Sequence, residues 1–316
     1  MHKLMYTDWS DDAAWVGTSV SDDAFDLIKG RQIQSVLTAM PGWRLSRVRI
    51  DTMHVNNLGI AWYVVGNLLW FLTYYRAYRF LEPARGKVLA PTAEYDLVLK
   101  DLQLRFKSWL SRERLDCSTP RFNLRNIHRA ESTDTCLFRL KASKSPFLVS
   151  WLSELFADLC EALPGYVPWI RKAEVAHSCV YGMAMYFFAC RTQPRVFDIV
   201  KRVEVHDWGK MFLYMYSEMH RFACDDNQGE TLWHFIPKFH LFDHVLRDIK
   251  IDGENPAYFH CFGDEDMVGQ MLQVAAAGHA STTVSSAVGK YSLGLKVRLT
   301  DKYKEWIVKQ SAQPNG

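Results

Sequence analysis

Asp51-Thr52-Met53-His54-Val55-Asn56-Asn57 runs directly into Leu58-Gly59-Ile60-Ala61-Trp62-Tyr63-Val64-Val65-Gly66-Asn67-Leu68-Leu69-Trp70-Phe71-Leu72-Thr73-Tyr74-Tyr75, eighteen residues without a formal charge. That length nears the threshold for a membrane span. Gly59, Gly66, Asn67 and Thr73 interrupt it, however, and its aromatics are scattered instead of gathered at its ends. A helix apolar on every side is also what the centre of a large helical domain requires. The stretch therefore reads as a core helix ending before Pro83, and no membrane is expected.

Outward from this helix, apolar spacing and proline punctuation give a mainly α chain. Upstream, Pro41-Gly42 marks a turn, and the weak alternation of Trp43 to Val55 predicts a short strand leading into Asp51. Downstream, Val98, Leu102, Phe106, Trp109 and Leu110 share one helical face. Residues 114–145 read as an irregular basic connection with one short strand. Pro146 then opens a helix striped by Leu148, Leu152, Leu155, Phe156, Leu159 and Leu163, with Pro164-Gly165 as its stop. Further helices follow Pro168 and Pro194, and Pro237 stands at a plausible first helical position. A last helix is expected from about Asp266 to Gly278, before a basic tail. The organisation read from this is an extended acidic arm over 1–42, a mainly helical domain over 43–262, and a C-terminal helix with basic tail over 263–316.

With 316 residues, 48% of them hydrophobic, and eleven Trp, fourteen Tyr and eighteen Phe, the chain is long and apolar enough to bury a substantial core. A net charge of +3 conceals an uneven spread. Residues 1–30 hold six acids against two lysines, a balance of −4, whereas residues 76–144 hold fifteen Lys/Arg against eight Asp/Glu, a balance of +7. The basic stretch, with Arg105, Lys107, Arg112 and Arg114, suits either a phosphate backbone or a solvated helix surface. Seven cysteines with no CxxC pair fit a reducing compartment. The first residues lack an apolar signal core, so a nuclear or cytoplasmic, not secreted, location is expected. No GxGxxG, Walker A, HExxH or GxSxG string occurs.

Three short strings hold the candidate chemistry. In Asp51-x-x-His54 the carboxylate fixes the imidazole tautomer and favours its charged form, or simply caps the helix that follows. His240 and His244, four apart, share a helical face and suit either a metal ion or an ordinary surface pair. In Asp264-Glu265-Asp266 the acids either stabilise a helix start through its dipole or reach a divalent cation.

Taken in order, these strings resemble the back half of a DDE transposase of the RNase H-like type. Asp51-Thr52-Met53-His54 looks like the C/DxxH element of the CACTA and hAT kinds. The run from Trp233 through Pro237-Lys238-Phe239-His240 to His244 is similar to the segment that closes their helical insertion. Phe262-Gly263-Asp264-Glu265-Asp266-Met267-Val268-Gly269 looks like the helix with the final acid. Tyr6-Thr7-Asp8-Trp9 through Trp15 resembles a segment of transposase-like families of dinoflagellates.

The resemblance implies a small remnant of an α/β RNase H-like core beside a helical insertion. It makes Glu265 the final catalytic acid and metal ligand and counts Asp51 and His54 among the catalytic residues, with His54 as a positioning group. It also implies Mg²⁺ as the cofactor of an active enzyme and DNA as partner. Its other two acids belong on strands ahead of the DxxH element. Asp8, Asp11, Asp12, Asp22, Asp23 and Asp26 lie in a segment with no strand pattern and do not take those roles. Two-metal phosphoryl transfer needs carboxylates on both ions. The expectation is thus a truncated or decayed transposase-like protein without catalytic activity, or a non-catalytic helical module for nucleic acid or protein.

Overall fold

The computed structural model describes residues 7–18, 21, 23–25, 40–41, 44–81, 91–131, 133–261, 296 and 300. The chain forms two compact units, 1–260 and 261–316. The first is mainly helical, as the spacing of its apolar residues predicts. A π-helical segment, Met53–Ile60, continues into α1 (Ala61–Tyr74). There follow α2 (Tyr78–Leu81), α3 (Pro91–Arg112), α4 (Ser145–Ala162), α5 (Ile170–Thr192), α6 (Ile199–Asp225) and α7 (Pro237–Asp252).

The prolines act as read. Pro146 and Pro237 sit in the first turns of α4 and α7, where the missing N–H has no helical partner to lose. Asp198 caps α6 by accepting a 2.8 Å hydrogen bond from Lys201 N. No strand forms among the described residues, where the single β interaction is an isolated bridge between Val196 and Glu254. The strand expected before Asp51 is therefore corrected: Leu45–Arg47 makes a 3-10 turn, and Val48 is exposed. Alternation there marks no buried face for a strand to cover. The strand expected within 114–145 is likewise absent among the described residues.

The uncharged stretch is the centre of the core. One helical run, Met53–Tyr74, is long and apolar enough to cross a membrane by length and composition alone, and most of it is buried within the protein. Val64, Val65, Leu68, Leu69 and Leu72 are fully enclosed; burying such a side chain stabilises a fold by roughly 1.5–3 kcal/mol. Its polar interruptions are satisfied by chain from far away. Asn67 Nδ2 donates to Cys136 O and its Oδ1 accepts from Trp233 N at 2.9 Å. Asn57 Nδ2 donates to Ala142 O at 2.9 Å, and Trp62 Nε1 to Leu140 O at 3.0 Å.

Gly66 makes this crossing possible. A Cβ there would stand 2.6 Å from Leu137 Cα, so only glycine lets the 134–142 segment lie directly on α1. Around this centre α5 packs between α4 and α6, and α7 lies against both α6 and the π segment.

Residues 7–18 dock on α6 and α7. Trp9 and Trp15 are buried, with Trp9 Nε1 donating to Ser217 Oγ at 2.9 Å. Beneath them Asp243, fully buried, accepts from Lys210 Nζ at 2.5 Å and from Arg247 Nε at 3.2 Å. The same cations hold the docked segment. Lys210 donates to Trp9 O at 2.6 Å, and Arg247 to Ser10 O at 2.5 Å.

Candidate functional site

Asp51 and His54 meet at the head of the π segment. Asp51 Oδ1 accepts from Met53 N at 3.0 Å, while Oδ2 pairs with His54 Nδ1. The two carboxylate oxygens thus have different partners: one meets the backbone at the start of the helical run, the other meets the imidazole. A carboxylate beside Nδ1 directs that nitrogen's proton towards itself, so Nε2 is the nitrogen presented outward. His54 is about half exposed and Asp51 mostly covered.

The π geometry contributes to this placement. An i→i+5 turn widens the helix, and such turns are frequent at functional sites. Here it brings Gly59 under α7. A Cβ on Gly59 would stand 2.4 Å from Lys238 Cδ and 3.2 Å from Lys238 Nζ. Lys238 therefore lies across the π segment, and burial pushes its pKa down while the nearby Asp51 carboxylate holds it up. The DxxH string and the Pro237-Lys238 string, more than 180 residues apart in the sequence, thus converge.

A second charged cluster flanks them. Arg49 pairs with Asp252, with Asp248 at 3.4 Å and with Glu254 at 3.2 Å. Burial works against its charge, but these three carboxylates outweigh it and raise the guanidinium pKa. Thr52 Oγ1 donates to Pro256 O at 3.4 Å, fastening the same corner.

The other sequence candidates are placed as follows. Glu265, expected as final acid and metal ligand, lies outside the described residues. On α3, Arg105 is ion-paired with Asp101 at 3.0 Å. Arg112 bridges Glu113 at 2.8 Å and Glu154 at 2.5 Å. Lys107 and Arg114 are exposed. His240 and His244 face each other with their Nε2 atoms 3.1 Å apart under the Trp15 ring. Burial lowers both pKa values, and in His244 the His240 charge adds to the effect.

Among the described residues no group of three or more His, Cys, Asp or Glu side chains is arranged to hold a metal ion. Asp51, with one oxygen on Met53 N and the other on His54, is the one implied site carboxylate within them. The described residues alone offer no carboxylate set for a two-ion centre.

Sequence reasoning missed a cavity of about 1310 Å³ on the far part of α6, lined in part by Trp70, Tyr74, Tyr95 and Phe235. Its polar wall includes His220 and Cys224, whose i, i+4 spacing was the available signal. The chain matches no protein-family model, no curated protein and no solved structure.

Proposed function

We propose that this chain derives from a DDE transposase and binds DNA through its helical unit without cutting it. The observation that carries this reading is the convergence of Asp51, His54 and Lys238 around the π segment. Two of the three resembling strings are thereby neighbours in space, as parts of one site must be. A lysine that senses the carboxylate orienting an imidazole is suited to phosphate oxygens, to which lysine and imidazole donate charge-assisted hydrogen bonds when protonated. It supplies no carboxylate set for hydrolysis. The runner-up is a helical module that binds protein. It is favoured by the ion pairs of Arg105 and Arg112, which any phosphate would have to displace.

Duplex DNA binding measured against salt separates the two. Counterion release gives an affinity that falls steeply as salt rises, and His54→Ala with Lys238→Ala weakens it. Absent or salt-independent binding overturns the DNA reading and leaves the protein-binding one. For chemistry, supercoiled plasmid incubated with the chain and Mg²⁺ or Mn²⁺ is expected to stay uncut. Robust nicking that disappears in Glu265→Gln overturns the non-catalytic part.

A further inference from the structure

The cavity on α6 holds a thiol and an imidazole in an arrangement distinct from the site above. His220 Nδ1 is 3.1 Å from Trp233 O. A carbonyl only accepts, so Nδ1 carries the proton and Nε2 bears the lone pair. That lone pair faces Cys224 Sγ at 3.5 Å, so the thiol donates to it. The pair thus has nucleophile, base and a third group that sets the base's tautomer.

The surroundings hold this geometry in place. Trp233 adopts φ 52°, a left-handed conformation that costs a bulky residue energy. It is retained by Asn67 Oδ1 on its N–H at 2.9 Å and by its ring against Tyr216 at 5.3 Å. The strained residue is the one whose carbonyl orients His220. The ring of Phe235, 5.1 Å away, flanks the imidazole. Burial lowers the His220 pKa against the raising effect of the Trp233 carbonyl, which favours the neutral base at neutral pH. Gly229 lies over the sulfur: a Cβ there would stand 2.4 Å from Sγ, so glycine leaves room beside it.

Five of the other six thiols are in different settings. Burial pushes up Cys117, Cys136, Cys160 (to about 11), Cys179 and Cys190 (to about 12). Each would form thiolate reluctantly.

We propose that Cys224 is a nucleophile served by His220, and that it accepts an acyl group from an activated ester or thioester whose apolar body lies against the aromatic wall of the cavity. The Cys224 S–H proton passes to His220 Nε2 as Sγ bonds to the acyl carbon. The bond from that carbon to the donor's oxygen or sulfur breaks, and the imidazolium returns the proton to the departing group. Cys224 is left as a thioester, with no change of oxidation state.

The test uses the full chain with p-nitrophenyl acetate, following nitrophenolate release and locating the acetyl group by peptide mass spectrometry. One acetyl per chain is expected on Cys224, with a burst absent in Cys224→Ser. Loss of the base in His220→Gln is expected to slow acetylation about 100-fold. The remaining rate should then rise with pH, as hydroxide stands in for the lost base. Acetylation of Cys224 no faster than that of N-acetylcysteine at the same pH, or a His220→Gln rate equal to that of the unmodified chain, overturns the proposal. Should His220→Gln unfold, iodoacetamide decides on the unmodified chain. Alkylation of Cys224 that persists below the pH at which N-acetylcysteine stops reacting supports the pair, and parallel pH profiles refute it.

Discussion

On α3, Arg112 reaches Glu113 and Glu154 with more than half of its side chain in solvent, whereas on α7 Asp243 is wholly enclosed and divides its two oxygens between Lys210 and Arg247. Water screens the first pair and costs little to restore when it breaks. The second cannot call on water, so removing one partner strands the others. The basic stretch is where charge is abundant, but the few charges between α6 and α7 hold more of the structure. They also fasten residues 7–18, because Lys210 and Arg247 each donate to a backbone carbonyl of that segment.

This contrast is easiest to break at its buried end. Asp243→Ala should lower unfolding free energy by about 3–5 kcal/mol, because it leaves Lys210 and Arg247 without their shared acid. Urea denaturation reads this directly, and a loss below about 1 kcal/mol would place Asp243 in the same class as the surface pairs. Gly66→Ala comes next. Its methyl would meet Leu137 backbone, which cannot swing aside as a side chain can, and overpacking of this kind costs about 1–3 kcal/mol.

Acid sharpens the comparison further. His240 and His244 titrate lower in the fold than in the unfolded chain, chiefly through burial. Groups facing them include each other, Asp243, Arg247 and the Trp15 ring. Between the folded and unfolded pKa values the unfolded chain binds more protons, so stability is full above about pH 6.5 and falls as pH drops below it. Urea midpoints across that range should decline, and the decline should be shallower in His240→Gln/His244→Gln, with His177 and His220 still contributing. The smallest effect belongs to α3. Arg112→Ala should leave the urea midpoint unchanged, whereas Lys107→Ala and Arg114→Ala, if these side chains meet phosphate, should each lower the salt slope of DNA binding by about 1.

Much of the helical framework was legible because prolines and apolar stripes are local signals. Pro146, Pro164 and Pro237 mark helix starts or stops by covalent geometry alone. The depth of the uncharged helix was legible too, since Asn67 fits poorly against lipid. Their partners were not, because Leu137 and Trp233 approach from segments some 70 and 170 residues away. The strand before Asp51 misled because Val48 and Ile50 alternate without a sheet to receive them.

At the site, Asp51 and His54 were readable from their spacing, and Lys238 only through the resemblance of its string. His220 and Cys224 escaped notice for a simpler reason. The i, i+4 pair lies within α6 among many core residues, and Trp233, which sets the imidazole, belongs to the chain beyond the helix. In the acidic N-terminal segment the charges suggested an arm, whereas Trp9 and Trp15 determine where it lies.

The π segment has one more consequence. Met53–Ile60 accommodates an extra residue in its widened turns before α1 resumes ordinary spacing at Ala61. Inserting one further residue within 56–59 would exceed what the widened turns hold and swivel everything upstream by about 100° about the helix axis. Asp51 and His54 would then point away from Lys238 with every residue of the pair intact. The site is indexed by a count of residues as much as by their kind.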